Sequence, residues 1–223
     1  MTRRQHIGIP LSIPPTIPFH EPDLAPEHKA AIIKALRWAW SKLQHQDPGV
    51  LRTGEEEDIT DRLQNLLNEK IGNERLASWL KDFETITRGE SQRTADGRIG
   101  KKPDLTFRPP AYASVTNTTR WGWFIECKII NGAASVTLYR DKGIYRYSSG
   151  EYAAWMPSGA MLGYVRDGSE PMLALDQPLR ANVGTKRHTP GPTIDQSESE
   201  HDRSQLPSPC VDVNLTHIWL HVP

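Results

Sequence analysis

Cysteine is scarce in this chain: 223 residues hold only Cys127 and Cys210. With no CxxC spacing, they offer neither a disulfide framework nor a cysteine-based zinc site, and a reducing cytoplasm is the expected compartment. An excess of either charge is also missing, with 27 basic and 27 acidic residues. That balance excludes a protein that coats nucleic acid by bulk charge, but leaves room for a basic groove beside an acidic centre. No apolar run approaches membrane-spanning length, and prolines at 10, 14, 15 and 18 interrupt any signal-peptide core, so no membrane association is expected. A Walker-type glycine loop, G-x-S-x-G and H-E-x-x-H are all lacking. His217 and His221 share a strand face but stand too far apart to chelate one ion, and any nucleotide-driven step would need another subunit.

What is present fits one domain with elaborations. Hydrophobic residues make up 37%, there are 18 prolines, and seven tryptophans supply apolar area for a core. Residues 1 to about 25 read as an extended, proline-rich arm. Pro26 opens a helix with Ile32, Leu36, Trp40 and Leu43 at helical spacing, ended by HQDPG. A second helix is predicted from near Gly54 to about Lys70, with Ile59, Leu63, Leu66 and Leu67 as its stripe. Asn73 caps a shorter one, NERLASWLKDF. Three strand-like runs follow, ETITRG, PDLTFRP and WGWFIECKII. The last is apolar on both faces, as a central strand covered by helices would be. A weakly helical stretch around 134–148 precedes a strand, MLGYVR. Residues 168–210 read as a long loop with little regular structure, and VDVNLTHIWLHV as a closing strand. The fold class is α/β (α+β), a mixed central sheet flanked by helices with an N-terminal helical extension over 1–50.

Chemistry concentrates between Pro103 and Lys128. Glu126 and Lys128, two apart on a strand, project to one face of the most buried segment. The alternatives are a structural Glu–Lys pair or a metal site with the lysine beside it. Asp104, 22 residues before Glu126, falls at the start of a strand that can pair with 121–130. Two carboxylates about 4 Å apart repel by roughly 4 kcal/mol at an effective dielectric of about 20, and a divalent cation removes that penalty. Oxygen donors favour Mg²⁺, with Mn²⁺ able to substitute, and the Cys127 carbonyl would stand near the ion. Lys128 would orient or deprotonate a water and stabilise developing charge. On the second helix Glu56 continues the core-facing stripe. Thr53 and Glu56 also match a capping box, Glu55 competes for the same role, and Glu57 points away.

At these residues the chain resembles the PD-(D/E)xK, or restriction-endonuclease-like, nucleases: EEEDIT, KKPDLTF and WFIECKII stand in the order of that superfamily's elements. The resemblance implies a restriction-endonuclease-like core over 51–223. It carries the catalytic roles onto Glu56, Asp104, Glu126 and Lys128, and the metal onto Asp104, Glu126 and the Cys127 carbonyl. The downstream features Tyr139, Gly143–Ile144, Arg146–Tyr147, Gly150, Tyr152 and Gly163–Tyr164 are similar to a pattern in bacterial members, and His201 and Arg203 are compatible with it. It further implies Mg²⁺-dependent hydrolysis of DNA (RNA is the other candidate), a protein partner or homo-oligomer, and a role in anti-phage defence. Lys101, Lys102, Arg140 and Arg146 are the candidates for phosphate contact. The rival expectations are an inactive nucleic-acid-binding subunit and a scaffold in a defence or repair complex.

Overall fold

A computed structural model describes residues 20–71, 83–84, 86–88, 94, 96–98, 100–110, 114–182 and 184–223. Most of the arm expected at the start and nearly all of the helix expected after Asn73 lie outside them.

Helix α1 (Pro26–Gln46) opens with proline in its first turn and buries Ile32, Ala35, Leu36, Ala39, Trp40 and Leu43 in one stripe. Asp47 ends it and starts α2 (Pro48–Thr53), accepting from the Val50 N–H at 3.4 Å. Helix α3 (Glu56–Ile71) buries Ile59, Leu63 and Leu67. The T-x-x-E capping box is not formed. Thr53 lies in α2 and donates to the Gly49 carbonyl, while Asp58 accepts from the Glu55 N–H at the start of α3. Glu56 is therefore free for another task.

Six strands form one mixed sheet: β1 (Leu105–Phe107), β2 (Trp123–Ile130), β3 (Ser158–Val165), β4 (Thr185–Pro190), β5 (Gln196–His201) and β6 (Val213–His221), in the order β1-β2-β3-β6-β5-β4. Strands β2, β3 and β6 run parallel, and the remaining pairings are antiparallel. The run ETITRG contributes only Thr87, in a single bridge to Thr106, so the expected strand there is not formed among the described residues. Strand β2 is covered on both faces but stands second from the edge rather than in the middle; β3, buried at every residue, lies further in.

Residues 168–210 are not the loop their composition predicts. They hold α6 (Pro171–Arg180) and the β4–β5 hairpin. The hairpin escapes an apolar-alternation reading because its buried face carries His188, Ser197, Ser199 and His201 instead of aliphatic residues. These polar groups satisfy one another and β6: His217 Nε2 and His201 Nε2 each lie 2.7 Å from Ser199 Oγ. Tyr139 OH lies 2.9 Å from His217 Nδ1. Burial drives His201 down to about 4 and His217 well below the usual histidine range, so both rings are neutral.

Helices α1 and α3 cover one face. Trp40 stacks on Tyr164 at 5.5 Å and donates to the His221 carbonyl, so the buried core runs without a break across position 50. The other face receives the segment between β2 and β3, built from α4 (Ala133–Leu138), a π-helical turn (Tyr139–Ile144) and α5 (Tyr145–Ser148). From it Tyr139 packs on Trp219, and Tyr147 donates to the carbonyls of Phe124 and Ala160 at 2.8 and 2.9 Å. Tyr147 fits because Gly159 below it has no side chain. Arg203, 1% exposed, ties down the chain that follows α5, donating to the carbonyls of Ala153 and Met156 at 3.0 and 2.8 Å and to that of Val211.

Candidate active site

The site forms where β1 stops. Strand β1 pairs only through Leu105–Ile125, Thr106–Phe124 and Phe107–Trp123. Beyond Ile125 the outer edge of β2 has no strand beside it among the described residues, and its backbone groups need other partners. Side chains supply them. Asp104 Oδ2 accepts from the Cys127 N–H at 2.7 Å, Lys128 Nζ donates to the Cys127 carbonyl at 2.6 Å, and Glu56 Oε2 accepts from the Ile129 N–H at 3.1 Å. Continuing the ladder one residue from Leu105–Ile125 sets Asp104 opposite Glu126, as pairing of the two strands predicts.

All four expected catalytic residues therefore meet at one notch. Of the three neighbouring glutamates, Glu56 is the one that enters: its Oε1 lies 2.7 Å from Lys128 Nζ, whereas Glu55 and Glu57 are exposed. Lys128 also lies 2.8 Å from Glu126 Oε1, so its three N–H donors are committed to Glu56, Glu126 and the Cys127 carbonyl. Burial alone would lower the Lys128 pKa, but the carboxylates of Glu126 and Glu56 outweigh it and raise it. The ammonium stays charged. Its charge can stabilise an anionic oxygen nearby, but it holds a water only by giving up one of these three partners, and it is not poised to take a proton.

Glu126 is fully buried. Its Oε1 accepts from Lys128 and from Arg146 Nη1, while Oε2 has no hydrogen-bond partner among the described residues. Burial first, and then the charge of Asp104, push its pKa up to about 7, and Lys128 and Arg146 offset this only in part. A buried oxygen left bare beside a second carboxylate is what a hard cation would satisfy. Among the described residues no three His, Cys, Asp or Glu side chains gather as a metal cage. Two carboxylates still fit Mg²⁺, which keeps several waters and takes one or two protein carboxylates together with substrate oxygens. The Cys127 carbonyl, the third expected donor, accepts from Lys128 Nζ with one of its two lone pairs. The Cys127 thiol is inert, burial pushing it well above its usual range.

The four expected phosphate contacts separate. Lys101 and Lys102 are exposed next to Asp104; Lys101 stands 3.8 Å from Glu151, and the Lys102 carbonyl accepts from Tyr152 OH at 2.6 Å. Arg140 is bound by its neighbour Asp141 at 2.6 Å and makes no hydrogen bond to the quartet. Arg146, expected at a phosphate, is inside the site; its hold on Glu126 and Tyr152 was not expected from the sequence. Nothing in the spacing of a cation 20 residues after Glu126 marks it as that residue's partner; only the helical segment folding back over β2 does. Comparison with models of protein families, with curated proteins and with solved structures finds no match.

Proposed function

We propose that this protein is a divalent-metal-dependent endonuclease of the PD-(D/E)xK type, hydrolysing phosphodiester bonds in DNA. The observation that carries the proposal is Lys128 bridging Glu126 and Glu56, with Asp104 across the ladder and the second oxygen of Glu126 bare. Asp104 and Glu126 would hold Mg²⁺, which when bound makes a water acidic and offsets charge on a phosphoryl oxygen. Lys128, kept cationic by its carboxylates, stabilises negative charge as it develops, and would hold the attacking water or a phosphate oxygen with the donor freed when Glu126 turns to the cation. Glu56 is a positioning residue that acts through Lys128. Lys101 and Lys102 supply exposed positive charge for the DNA backbone on the Asp104 side. The finer form of the proposal places the nuclease in a bacterial anti-phage system, and rests on the resemblance alone. Two free cysteines fit a reducing compartment.

The test is plasmid DNA with Mg²⁺ or Mn²⁺ and the purified full chain. Nicking or linearisation that disappears in EDTA, in Glu126→Gln and in Lys128→Met is the expected result. Cleavage that persists in both variants would place the active site elsewhere. DNA binding that needs neither cation nor Asp104, with no cleavage under any condition, would favour the inactive binding subunit.

A further inference from the structure

Arg146 reaches Glu126 from α5, just after the π-helical turn. Its contact is unlike a fitted arginine–carboxylate fork, which uses two parallel N–H bonds. One nitrogen, Nη1, makes both contacts, to Glu126 Oε1 and to Tyr152 OH at 2.9 Å. Nε is buried and has no hydrogen-bond partner among the described residues. The carboxylate shows the same imbalance, with Lys128 and Arg146 crowded on Oε1 and Oε2 bare. The arginine side chain is 22% exposed while that of Glu126 is 0% exposed, so the cation has a way out and the anion does not.

We propose that Arg146 is a placeholder counter-ion: it neutralises Glu126 while the acidic centre holds no divalent cation, and yields that carboxylate when one binds, turning to the substrate phosphodiester. The inference rests on the nuclease reading above. Two cations competing for one buried carboxylate must each weaken the other's hold, by linkage. Lys128 and Arg146 differ in what remains to them. Lys128 keeps a second carboxylate, Glu56, when Glu126 is taken. Among the described residues Arg146 keeps the neutral hydroxyl and ring of Tyr152 and the charge of Asp104, which the same cation would take. The arginine therefore leaves, and the guanidinium it frees suits a phosphate geometrically.

The experiment titrates Mn²⁺ into the full chain and reads free Mn²⁺ by its electron paramagnetic resonance signal, so cleavage is not the readout. Arg146→Met should bind Mn²⁺ at least about tenfold more tightly than wild type, and Arg146→Lys should restore affinity close to wild type. Far-UV circular dichroism and a thermal melt verify folding. If Arg146→Met does not fold, Tyr152→Phe removes the second anchor of the arginine and should tighten Mn²⁺ binding severalfold. Equal or weaker binding in a folded Arg146→Met, with wild type binding Mn²⁺ and cutting DNA, overturns the exchange and leaves the nuclease proposal standing. No Mn²⁺ binding by wild type or variant, and no cleavage, overturns both. Binding that appears only in Arg146→Met supports the exchange in its strongest form.

Discussion

Lys128 on β2 and Glu56 on α3 stand 72 positions apart in sequence and 2.7 Å apart in space. The pair links the sheet to the helical layer and fixes the lysine whose charge the proposed reaction needs. Glu56 does this with both oxygens, one on the ammonium and one on the Ile129 N–H. It shapes the site through the ammonium that it shares with Glu126.

Glu56→Gln keeps the shape and removes the charge. Lys128 retains Glu126 but loses its second carboxylate. Cleavage of plasmid DNA should fall about 10–100-fold, the usual cost of losing a partner that orients an active-site group. Stability should fall by no more than about 1–3 kcal/mol. Single-turnover rates and urea unfolding curves separate the two effects. An unchanged rate would remove Glu56 from the machinery.

Glu126 and the buried histidines should bend the pH–stability curve in opposite directions. Folding raises Glu126 from 4.5 to about 7, so its contribution is complete below pH 4.5 and is lost as pH rises through 7. Folding lowers His201 from 6.5 to about 4, so its contribution is complete above pH 6.5 and is lost as pH falls through 4. His217, lowered by complete burial, acts in the same sense as His201. In EDTA the slope from Glu126 opposes those from the two histidines between pH 4.5 and 6.5. Glu126→Gln removes the opposing slope, and stability should then climb with pH across that window by up to about 3 kcal/mol more than in wild type. Urea midpoints at half-unit pH steps show it; a curve parallel to wild type would contradict it.

Gly159→Ala should destabilise the fold. A Cβ there would sit 2.5 Å from Cε1 of Tyr147, whose ring is fixed by its bonds to two strand carbonyls. Overpacking of this kind costs about 1–3 kcal/mol. Gly49→Ala is the control: its nearest neighbour would be 3.8 Å away, in a helix that alanine favours, and it should be neutral or slightly stabilising. Thermal melts of the two variants test the contrast.

Arg203→Lys should cost about 2–4 kcal/mol although charge is conserved. The planar guanidinium reaches the carbonyls of Ala153, Met156 and Val211 at once, and an ammonium on a single stem does not. Burial lowers the Arg203 pKa to about 10, so the cation persists at neutral pH. Hydrogen exchange should rise first in residues 149–157, which this arginine ties down. Uniform change across the molecule would argue for a different role.

The sequence revealed those parts of the protein whose physics is local. The spacing of Ile32, Leu36, Trp40 and Leu43 is enough to place α1, and the alternation through Trp219 is enough for β6. Asp104, Glu126 and Lys128 were legible because a strand puts alternate residues on one face and β1 pairs with β2 in the expected register. The β4–β5 hairpin was hidden because its inner face is polar and satisfied by partners far along the chain. Helix α6 was hidden by Pro171 and Pro178, although Leu175 and Leu179 keep helical spacing. The hold of Arg146 on Glu126, and that of Lys128 on the Cys127 carbonyl, depend on how helices and side chains fold over the sheet, which no spacing rule encodes.

Strand β1 ends after three residues. An open sheet edge ordinarily invites a strand from another molecule, and proteins commonly guard such edges with charge. Here the guard and the proposed chemistry are the same residues: Asp104, Lys128 and Glu56 fill the bonding positions that an intruding strand would use. Variants stripped of these charges should lose solubility along with activity, because removing the charges reopens the edge to self-association.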